Sequence, residues 1–239
     1  MSGHSKWETT KRQKAAEDAK RGAAFTKLSN IIAIAARGGT DPSMNPSLAM
    51  AVERARRASM PASTIQRAIA RGADKSAAAL EEVVYEAYGP GGTGIVIEAA
   101  TDNRNRTFPD VKTVLNKNGG SIAAAGSVLF QFTRKGVIEV DATGDDNLMT
   151  VLDAGAEDAQ EIDGKIIAYT DMKDLHKVRT AIVNAGLTVE DAELKYIAND
   201  SVVISDAETA RKALKLLSAL DDLDDVTNVH TNADIVAEV

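Results

Sequence analysis

The residues best suited to chemistry lie close to the N-terminus, in the segment GHSKWETTKRQK at positions 3–14. This segment combines four Lys and Arg side chains with one His and with Trp7, the only Trp of the chain. Basic side chains neutralise phosphates and release counterions, which gives salt-dependent binding to nucleic acids. An indole ring offers a face on which a base stacks, worth ~1–3 kcal/mol in single-stranded complexes. The segment therefore predicts nucleic-acid binding, and packing of Trp7 against the protein itself is an equally good alternative.

Basic residues continue beyond this segment, and with Trp7 they define a candidate nucleic-acid interface. Its predicted members are His4, Lys6, Trp7, Lys11, Arg12, Lys14, Lys20, Arg21, Lys27, Arg54 and Arg57. The sequence TDNRNRT at 101–107 adds two cations, Arg104 and Arg106. These two either contact phosphate or simply stand at the start of a helix that Asn or Thr caps. Both interpretations of the pair stay open.

The charge of the chain is strongly asymmetric. Residues 1–75 carry 14 Lys and Arg but 6 Asp and Glu, whereas residues 76–239 carry 14 and 29, for a net charge of −7. A basic first third joined to an acidic remainder indicates that the first third meets a polyanion. The alternative is that the basic part docks onto the acidic part of its own chain, and both can hold together.

The sequence contains no residue set typical of a catalytic or metal site. The absence of Cys excludes disulfides, thiolate metal ligands and a cysteine nucleophile. The three histidines, His4, His176 and His230, are far apart in the sequence, and the nucleophile elbow G-x-S-x-G does not occur. We therefore expect no enzymatic activity, no cofactor and no metal ion.

Two further patterns have simple structural explanations. The glycine-rich GPGGTG at 89–94 precedes a predicted strand, so it indicates a tight turn and not a phosphate loop of the Walker or Rossmann type. The acidic run DDLDD at 221–225 lacks the Gly and Glu of an EF-hand loop. We interpret this run as a solvated loop at the end of a helix.

No targeting or membrane-spanning pattern is found. The basic start is not followed by the apolar region of a secretory signal, and eighteen consecutive apolar residues occur nowhere. The apolar content of 44% is ordinary for a globular protein. We expect a cytoplasmic protein that does not enter the membrane.

The candidate interface is predicted to lie on helices. An Ala- and Lys-rich helix is predicted at 15–24, and apolar residues at helical spacing continue from Phe25 to a stop at Gly38–Gly39. Asn45 and Pro46 predict the start of the next helix, and Pro61 opens another one that Gly72 closes. The predicted buried residues of these two helices are Leu48, Val52, Ala55, Ile65, Ala68 and Ile69. Arg54, Arg56 and Arg57 are predicted to face partly outward.

After a short linker at 73–80 the apolar pattern changes to that of strands. Strands are predicted at 83–88, 94–100 and 127–133, with a helix at 107–118. A compact unit then follows the order β-α-β-β-α-β, with a hairpin turn at Asp163–Gly164 and a second helix that Asp171 caps. The closing strand, helix and strand, at 201–205, 207–219 and 226–230, complete the sandwich that the first strands leave unfinished.

The predicted fold is of the α+β class. It consists of an N-terminal helical bundle followed by two ferredoxin-like α/β sandwich domains, of which the middle one is discontinuous. The predicted boundaries are 1–75 for the basic bundle, 81–133 plus 200–239 for the discontinuous domain, and 134–199 for the inserted domain. The basic bundle includes the N-terminal arm, which is the segment GHSKWETTKRQK at 3–14.

Long motifs are spread over nearly the whole chain. They include GHSKW at 3–7, AAEDAKRG at 15–22, FTKL at 25–28, RAIARG at 67–72, YEAYGPGG at 85–92, TDNRNRT at 101–107 and LDDLDDVTNVHTNADI at 220–235. In these motifs the chain resembles the YebC/PmpR family, which includes the mitochondrial translational activator of cytochrome c oxidase.

The resemblance implies three domains, the first helical and the others α/β, and no known enzymatic activity. It implies either a DNA-binding transcriptional regulator, the role usually given to bacterial members, or a ribosome-associated translation factor, the role of the mitochondrial member. The arm departs from the family pattern, since Glu8, Thr9 and Thr10 stand where Ala-Asn-Ile is common, and Arg12-Gln13 where His-Arg is common. It is therefore less basic than usual.

These observations favour a non-enzymatic nucleic-acid-binding regulator of gene expression. The predicted helix at 46–58 has several Arg but few Asn or Gln, which favours contacts to the phosphate backbone over readout of bases. The acidic remainder suits a protein that inserts a basic arm into structured RNA. We therefore favour ribosomal RNA as the target of a monomer, with ribosomal proteins as further partners. Promoter DNA is the alternative target, and an acidic protein-interaction adaptor is the third hypothesis.

Overall fold

The structure is a computed structural model that describes residues 21–74 and 80–237. Its described part forms two compact units. The first combines the residues up to Phe132 with those from Ala198 onwards, and the second is Thr133–Ile197. The second unit is thus an insertion into the first.

Among the described residues, the first unit begins with three helices: α1 (Arg21–Ala36), α2 (Pro46–Arg57) and α3 (Ala62–Ala73). The helix predicted at 15–24 and the linker at 73–80 lie mostly outside the described residues. The predicted apolar stripes are confirmed, because they form one buried cluster that includes Leu28, Ile32, Leu48, Val52, Ala55, Ile65, Ala68 and Ile69. This cluster holds the three helices together.

Gly72 lies at a close approach of α1 and α3. The helix α3 continues through it to Ala73. A Cβ atom at residue 72 would lie 2.1 Å from the carbonyl oxygen of Ala33 and 2.8 Å from the Cβ of Ala36. The sequence predicts Gly72 as a helix terminator, whereas the structure gives it a packing role, since only Gly lets the two backbones touch.

The remaining elements follow in chain order. They are β1 (Glu81–Tyr88), β2 (Gly94–Thr101), α4 (Arg104–Lys117), β3 (Ser121–Ile122), β4 (Phe132–Val140), α5 (Asp145–Asp153), β5 (Asp158–Ile162), β6 (Lys165–Thr170), α6 (Leu175–Asn184), β7 (Val189–Ala198), β8 (Val202–Ile204), α7 (Ala207–Asp221), β9 (Val226–Thr231) and β10 (Ala233–Ile235).

The first unit contains a four-stranded antiparallel sheet in the order β3-β1-β2-β9. Helices α4 and α7 bury their apolar residues against it in a cluster that includes Ile95, Ile97, Leu115, Leu216 and Val229. A separate parallel pair joins β8 to β10. The strand that pairs with β2 is therefore made from the far end of the chain, after the insertion.

The strand predicted at 127–133 is wrong. Leu129–Gln131 forms a single 3-10 turn, and β4 begins only at Phe132. The cause is the carboxylate of Glu86 on β1, which accepts backbone N–H bonds from Gly126, Val128 and Leu129 at 2.5, 2.6 and 2.7 Å. Because these N–H groups bond to the Glu86 side chain, they cannot pair with a neighbouring strand. The segment therefore turns, although its apolar residues alternate as in a strand.

The second unit has four strands in the order β5-β6-β4-β7. With α5 and α6 this is the predicted split-βαβ arrangement. The predicted hairpin is confirmed, because Ile162 pairs with Lys165 across Asp163–Gly164, whose φ angles of 50° and 76° suit a tight turn. The helix start at Asp171 is wrong, since α6 begins at Leu175 after a turn in which Asp171 accepts the Lys173 N–H.

The α+β class is confirmed: a helical N-terminal region precedes two regions that each join a four-stranded sheet to two helices. In the α/β region of the first unit the two strands β1 and β2 come before its first helix, α4, so its order along the chain differs from that of the inserted unit. The division into three domains at 75, 133 and 199 stays an interpretation. Within the first unit, α1 contacts the sheet through the Asn30 amide, 3.5 Å from the Ala100 carbonyl oxygen.

Candidate nucleic-acid interface

The first part of the candidate interface lies outside the described residues. This concerns His4, Lys6, Trp7, Lys11, Arg12, Lys14 and Lys20, whose predicted roles stay predictions. Arg21 is the first residue of α1. The geometry of the interface is therefore built from the cations of α1, α2, α3 and α4.

The side chain of Asn45 forms hydrogen bonds both to the first turn of α2 and to the end of α1. Its side-chain oxygen accepts the Leu48 N–H at 3.1 Å, as a helix cap does. Its amide nitrogen donates to the carbonyls of Ala35 and Gly39 at 2.7 and 2.8 Å. Asn45 thus joins the end of α1 to the start of α2, and Pro46 follows at the first helical position.

Replacing Asn45 by Ala is expected to lower the free energy of unfolding by about 2 kcal/mol, because the cap and two carbonyl partners are lost together. Thermal unfolding followed by circular dichroism measures this change. Asn45→Asp should be no better than Ala, although Asp caps isolated helices well, because its carboxylate would face two carbonyl oxygens. A fully stable Asn45→Asp protein would show that the amide donors do not matter.

The last turn of α2 carries three Arg side chains. Cations are favourable there, since the helix dipole places negative partial charge at this end. Arg57 pairs with Glu53 one turn earlier, at 2.5 Å, and Arg54 also interacts within the protein. The exposed Arg56 side chain makes no hydrogen bond or ion pair with any described residue. Arg56 is therefore the cation of this turn that is best placed for a phosphate.

The predicted list of interface residues includes Arg54 and Arg57 but omits Arg56. The Glu53 to Arg57 spacing of four residues is a sequence signal for an ion pair on the helix surface. This signal identifies Arg57 as partly neutralised, and it leaves Arg56 as the stronger candidate.

Other cations of the helical region are used within the protein. Arg71 on α3 donates to the Asn30 side chain of α1 at 2.6 Å. Arg37 donates to the carbonyl of Leu80 at 2.6 Å. Arg67 is exposed and bonds within its own helix. Arg71 therefore contributes to helix packing, and Arg67 adds an exposed positive charge.

Lys27 is held between two elements of the first unit. Its ammonium group donates to the backbone carbonyl of Asp221, at the end of α7, and lies 3.4 Å from the carboxylate of the same residue. Only 16% of the Lys27 side chain is exposed. Lys27 thus joins α1 to α7, and its predicted contact with nucleic acid stays a prediction.

Arg104 and Arg106 at the start of α4 lie in ion pairs. Arg104 bonds to Glu81 at 2.6 Å. Arg106 bonds to Asp102 at 3.0 Å and to Asp225 at 2.9 Å, and the hydrogen bond and charge of Asp225 raise the pKa of its guanidinium group. The predicted alternative of a helix cap is confirmed for Asn103, whose side chain accepts the Arg106 N–H. Phosphate contact by this pair stays a prediction.

The interpretation of the run at 221–225 as a solvated loop is wrong for Asp225. One of its carboxylate oxygens lies 2.6 Å from the Thr107 hydroxyl and 3.3 Å from the Thr101 hydroxyl. Its backbone oxygen accepts the Ala100 N–H at 2.8 Å. Asp225 thus joins α4 to the strand β2, a role that its acidic neighbours in the sequence do not indicate.

Two negative findings apply to the residues that the structure describes. Within 21–74 and 80–237, no three His, Asp or Glu side chains are grouped so that they could hold a metal ion. No helix of the same ranges has the length and apolar character needed to cross a bilayer.

Two family profiles match the chain. The profile described as "TACO1/YebC protein N-terminal domain" matches residues 5–75. The profile described as "TACO1/YebC second and third domain" matches residues 80–233. Together they cover the candidate interface except His4, the whole second unit and the first unit as far as residue 233.

Relatives are similar over the full length. A protein of Corynebacterium kroppenstedtii is 50% identical over 245 residues, which cover 100% of this chain and 98% of the relative. A protein of Chlorobaculum tepidum is 50% identical over 245 residues, which cover 100% of this chain and 97% of the relative. Both bear the name "probable transcriptional regulatory protein".

A solved structure shares the fold. The crystal structure of a conserved hypothetical protein, Aq1575, from Aquifex aeolicus superposes with a TM-score of 0.88 at 41% sequence identity, and the match covers 93% of each chain. The fold, the two profiles and the full-length relatives agree, and the chain therefore belongs to the TACO1/YebC family.

Proposed function

We propose that the protein is a non-enzymatic regulator of gene expression that binds nucleic acid through its basic first third, and that its target is structured ribosomal RNA. The observation that carries this proposal is the charge distribution, with 14 Lys and Arg against 6 Asp and Glu in residues 1–75 and 14 against 29 in the rest. An acidic remainder repels RNA, so the basic part supplies most of the contacts to it.

The composition of α2 supports contacts to the phosphate backbone. The helix PSLAMAVERARR contains three Arg and neither Asn nor Gln, the residues that read adenine edges in a major groove. Arg56 can meet a phosphate without breaking a bond to another described residue. A monomer in the cytoplasm, with basic ribosomal proteins near its acidic surface, completes the proposal.

Promoter DNA is the second candidate target. The observation that favours it is the name of the relatives, "probable transcriptional regulatory protein". A transcriptional role needs selectivity among DNA sequences, whereas a translational role needs binding to ribosomal RNA.

Ultraviolet crosslinking in growing cells, followed by sequencing of the attached nucleic acid, tests the proposal. We expect ribosomal RNA to dominate, with crosslinks near residues 4–14. Discrete promoter DNA with little ribosomal RNA would establish the DNA alternative. Binding to a protein partner that does not weaken with salt would instead indicate the adaptor, because phosphate binding weakens steeply as salt rises.

Replacing Arg56 by Ala is expected to weaken binding of a structured RNA by about tenfold at low salt, because one phosphate contact is lost. The slope of log K against log salt should fall in magnitude by about 1. Filter binding over a range of salt concentrations measures both quantities. Arg211→Ala, a change of an exposed Arg on α7, is the matched control and should leave both unchanged. Equal behaviour of the two variants would remove Arg56 from the interface.

A further inference from the structure

Strands β8 and β10 form a parallel pair that is separate from both four-stranded sheets. One face of this pair packs on α7 in a buried cluster that includes Ile204, Ala210 and Ile235. The opposite face carries Val203 and Val236, which are 60% and 59% exposed. Parallel strands are normally covered on both faces, and two strands alone form only a marginal sheet. The uncovered face is therefore a candidate surface for a partner.

The outer edge of β8 offers backbone groups to another chain. The Val202 N–H donates to the carbonyl of Asn232 at 2.7 Å, and the Ile204 carbonyl accepts the Val236 N–H at 3.1 Å. Both β8 residues thus turn their backbone groups toward β10. Because successive residues of a strand turn these groups to opposite sides, those of Val203 point away from β10. No strand of the described residues pairs with β8 on that side, and an unpaired edge is a template for another extended chain.

The charge around this edge is negative. The segments 199–206 and 231–237 contain three Asp but neither Lys nor Arg. Asp200 and Asp206 stand two residues before and after β8, and both are exposed. Asp234 lies opposite Val203 in the register of the two strands, so the two side chains leave the pair on the same face. Basic side chains are therefore favoured beside the exposed valines.

Together these features favour one kind of occupant, an extended basic peptide. The N–H and C=O groups of an open edge pair with another polypeptide backbone. A nucleic acid lacks such a backbone, and the carboxylates would repel its phosphates. The exposed valines favour apolar side chains in the added strand, and the carboxylates favour Lys or Arg. A second copy of this chain would instead bring the same carboxylates together.

We propose that the free edge of β8 binds an extended basic segment of a partner protein. The segment adds a third strand beside Val203, its apolar side chains pack on that residue, and its basic side chains reach the carboxylates of Asp200 and Asp206. This inference deepens the proposed function and rests on it for the source of the segment, because basic ribosomal proteins are the partners proposed there.

The test uses the full chain and fluorescent peptides, with affinities measured by fluorescence anisotropy at physiological ionic strength. The first probe is a heptapeptide in which Lys and Val alternate. A second probe has Glu in place of Lys, and a third has the first sequence with every internal amide nitrogen methylated. We expect the second and third probes to bind about tenfold more weakly than the first, or less well still. Equal binding of the first and third probes would mean attraction by charge alone and would overturn the inference.

Variants locate the contact on β8. Val203→Pro removes the outward N–H without touching the bonds to β10, as Pro does at an edge strand, and should weaken binding of the Lys-Val peptide about tenfold. Val203→Lys, which places a cation on the edge, should have a similar effect. It keeps the test decisive if Pro lowers the thermal midpoint, because an exposed Val leaves without loss of buried contacts. Val183→Lys, a change of an exposed Val on α6, is the matched control and should bind like wild type.

The remaining outcomes separate this inference from the proposed function. A wild-type chain that binds structured RNA but not the Lys-Val peptide, or full peptide binding by both Val203 variants, would overturn the inference alone. A chain that binds the peptide at β8 but no RNA would support the inference and contradict the proposed function. A dimer in sedimentation that Val203→Lys dissociates would show that a second copy occupies the edge, which would also overturn the inference.

Discussion

Replacing Gly72 by Ala is expected to lower the free energy of unfolding by about 3 kcal/mol. The added Cβ would lie 2.1 Å from the Ala33 carbonyl oxygen, a backbone atom that cannot turn away. Helices α1 and α3 must separate to admit it, and the buried cluster between them then loses contacts. Urea unfolding of the full chain, followed by circular dichroism, measures the change.

Helix propensity acts against the expected loss of stability in Gly72→Ala. Ala in place of Gly favours an isolated helix by about 1 kcal/mol, so stabilisation of the protein would show that the helices are not in close contact at residue 72. Gly38→Ala is the matched control, since a Cβ there meets its nearest atoms, in Asn45 and Ala35, only at 3.5 and 3.6 Å. This variant should unfold at nearly the same urea concentration as wild type.

Replacing Glu86 by Gln is expected to cost on the order of 3 kcal/mol at neutral pH. The Glu86 side chain is buried, with 7% exposed, and its two oxygens accept three backbone N–H bonds, from Gly126, Val128 and Leu129. A Gln side chain would offer one acceptor oxygen and turn an NH₂ group toward the remaining donors. Glu82→Gln, a change of an exposed Glu near the start of the same strand, is the control and should be nearly neutral.

The effect of Glu86 also depends on pH. Burial acts to raise its pKa, but the donors of Gly126, Leu129 and Val128 together outweigh burial and lower it. Its stabilisation is therefore complete above the unfolded-state pKa of about 4.3 and is lost as the pH falls through the lower folded value. The gap in stability between wild type and Glu86→Gln should be full at pH 7 and narrow below about pH 4. A constant gap would mean that the carboxylate charge does not matter.

The local features of the fold could be predicted from the sequence. Asn45 and Asn103 cap helices as their residue type suggests, and the turn at Asp163–Gly164 joins two strands. The alternating pattern at 127–133 gave the wrong element, because the Glu86 carboxylate that turns this segment is about forty residues away in the sequence. Local periodicity does not contain such a contact.

The candidate site was predicted only in part, for a similar reason. Residue type identifies cations, but the partner of each cation depends on the fold: Lys27 meets Asp221, and Arg106 meets Asp225. Arg56 was omitted because its lack of a partner among the described residues is a property of the folded surface.

Because β2 pairs with β9, the two units fold in a fixed order while the chain is synthesised. Residues 133–197 leave the ribosome with all four of their strands, so the inserted unit can fold at once. The sheet of the first unit cannot be completed at that time, because Leu216 and Val229 of its core are synthesised after the insertion. At ~5–20 residues per second, Ile95 and Ile97 stay uncovered for several seconds. The unit that the ribosome begins first is thus the one that it finishes last, and a chain interrupted before residue 226 presents apolar surface to chaperones.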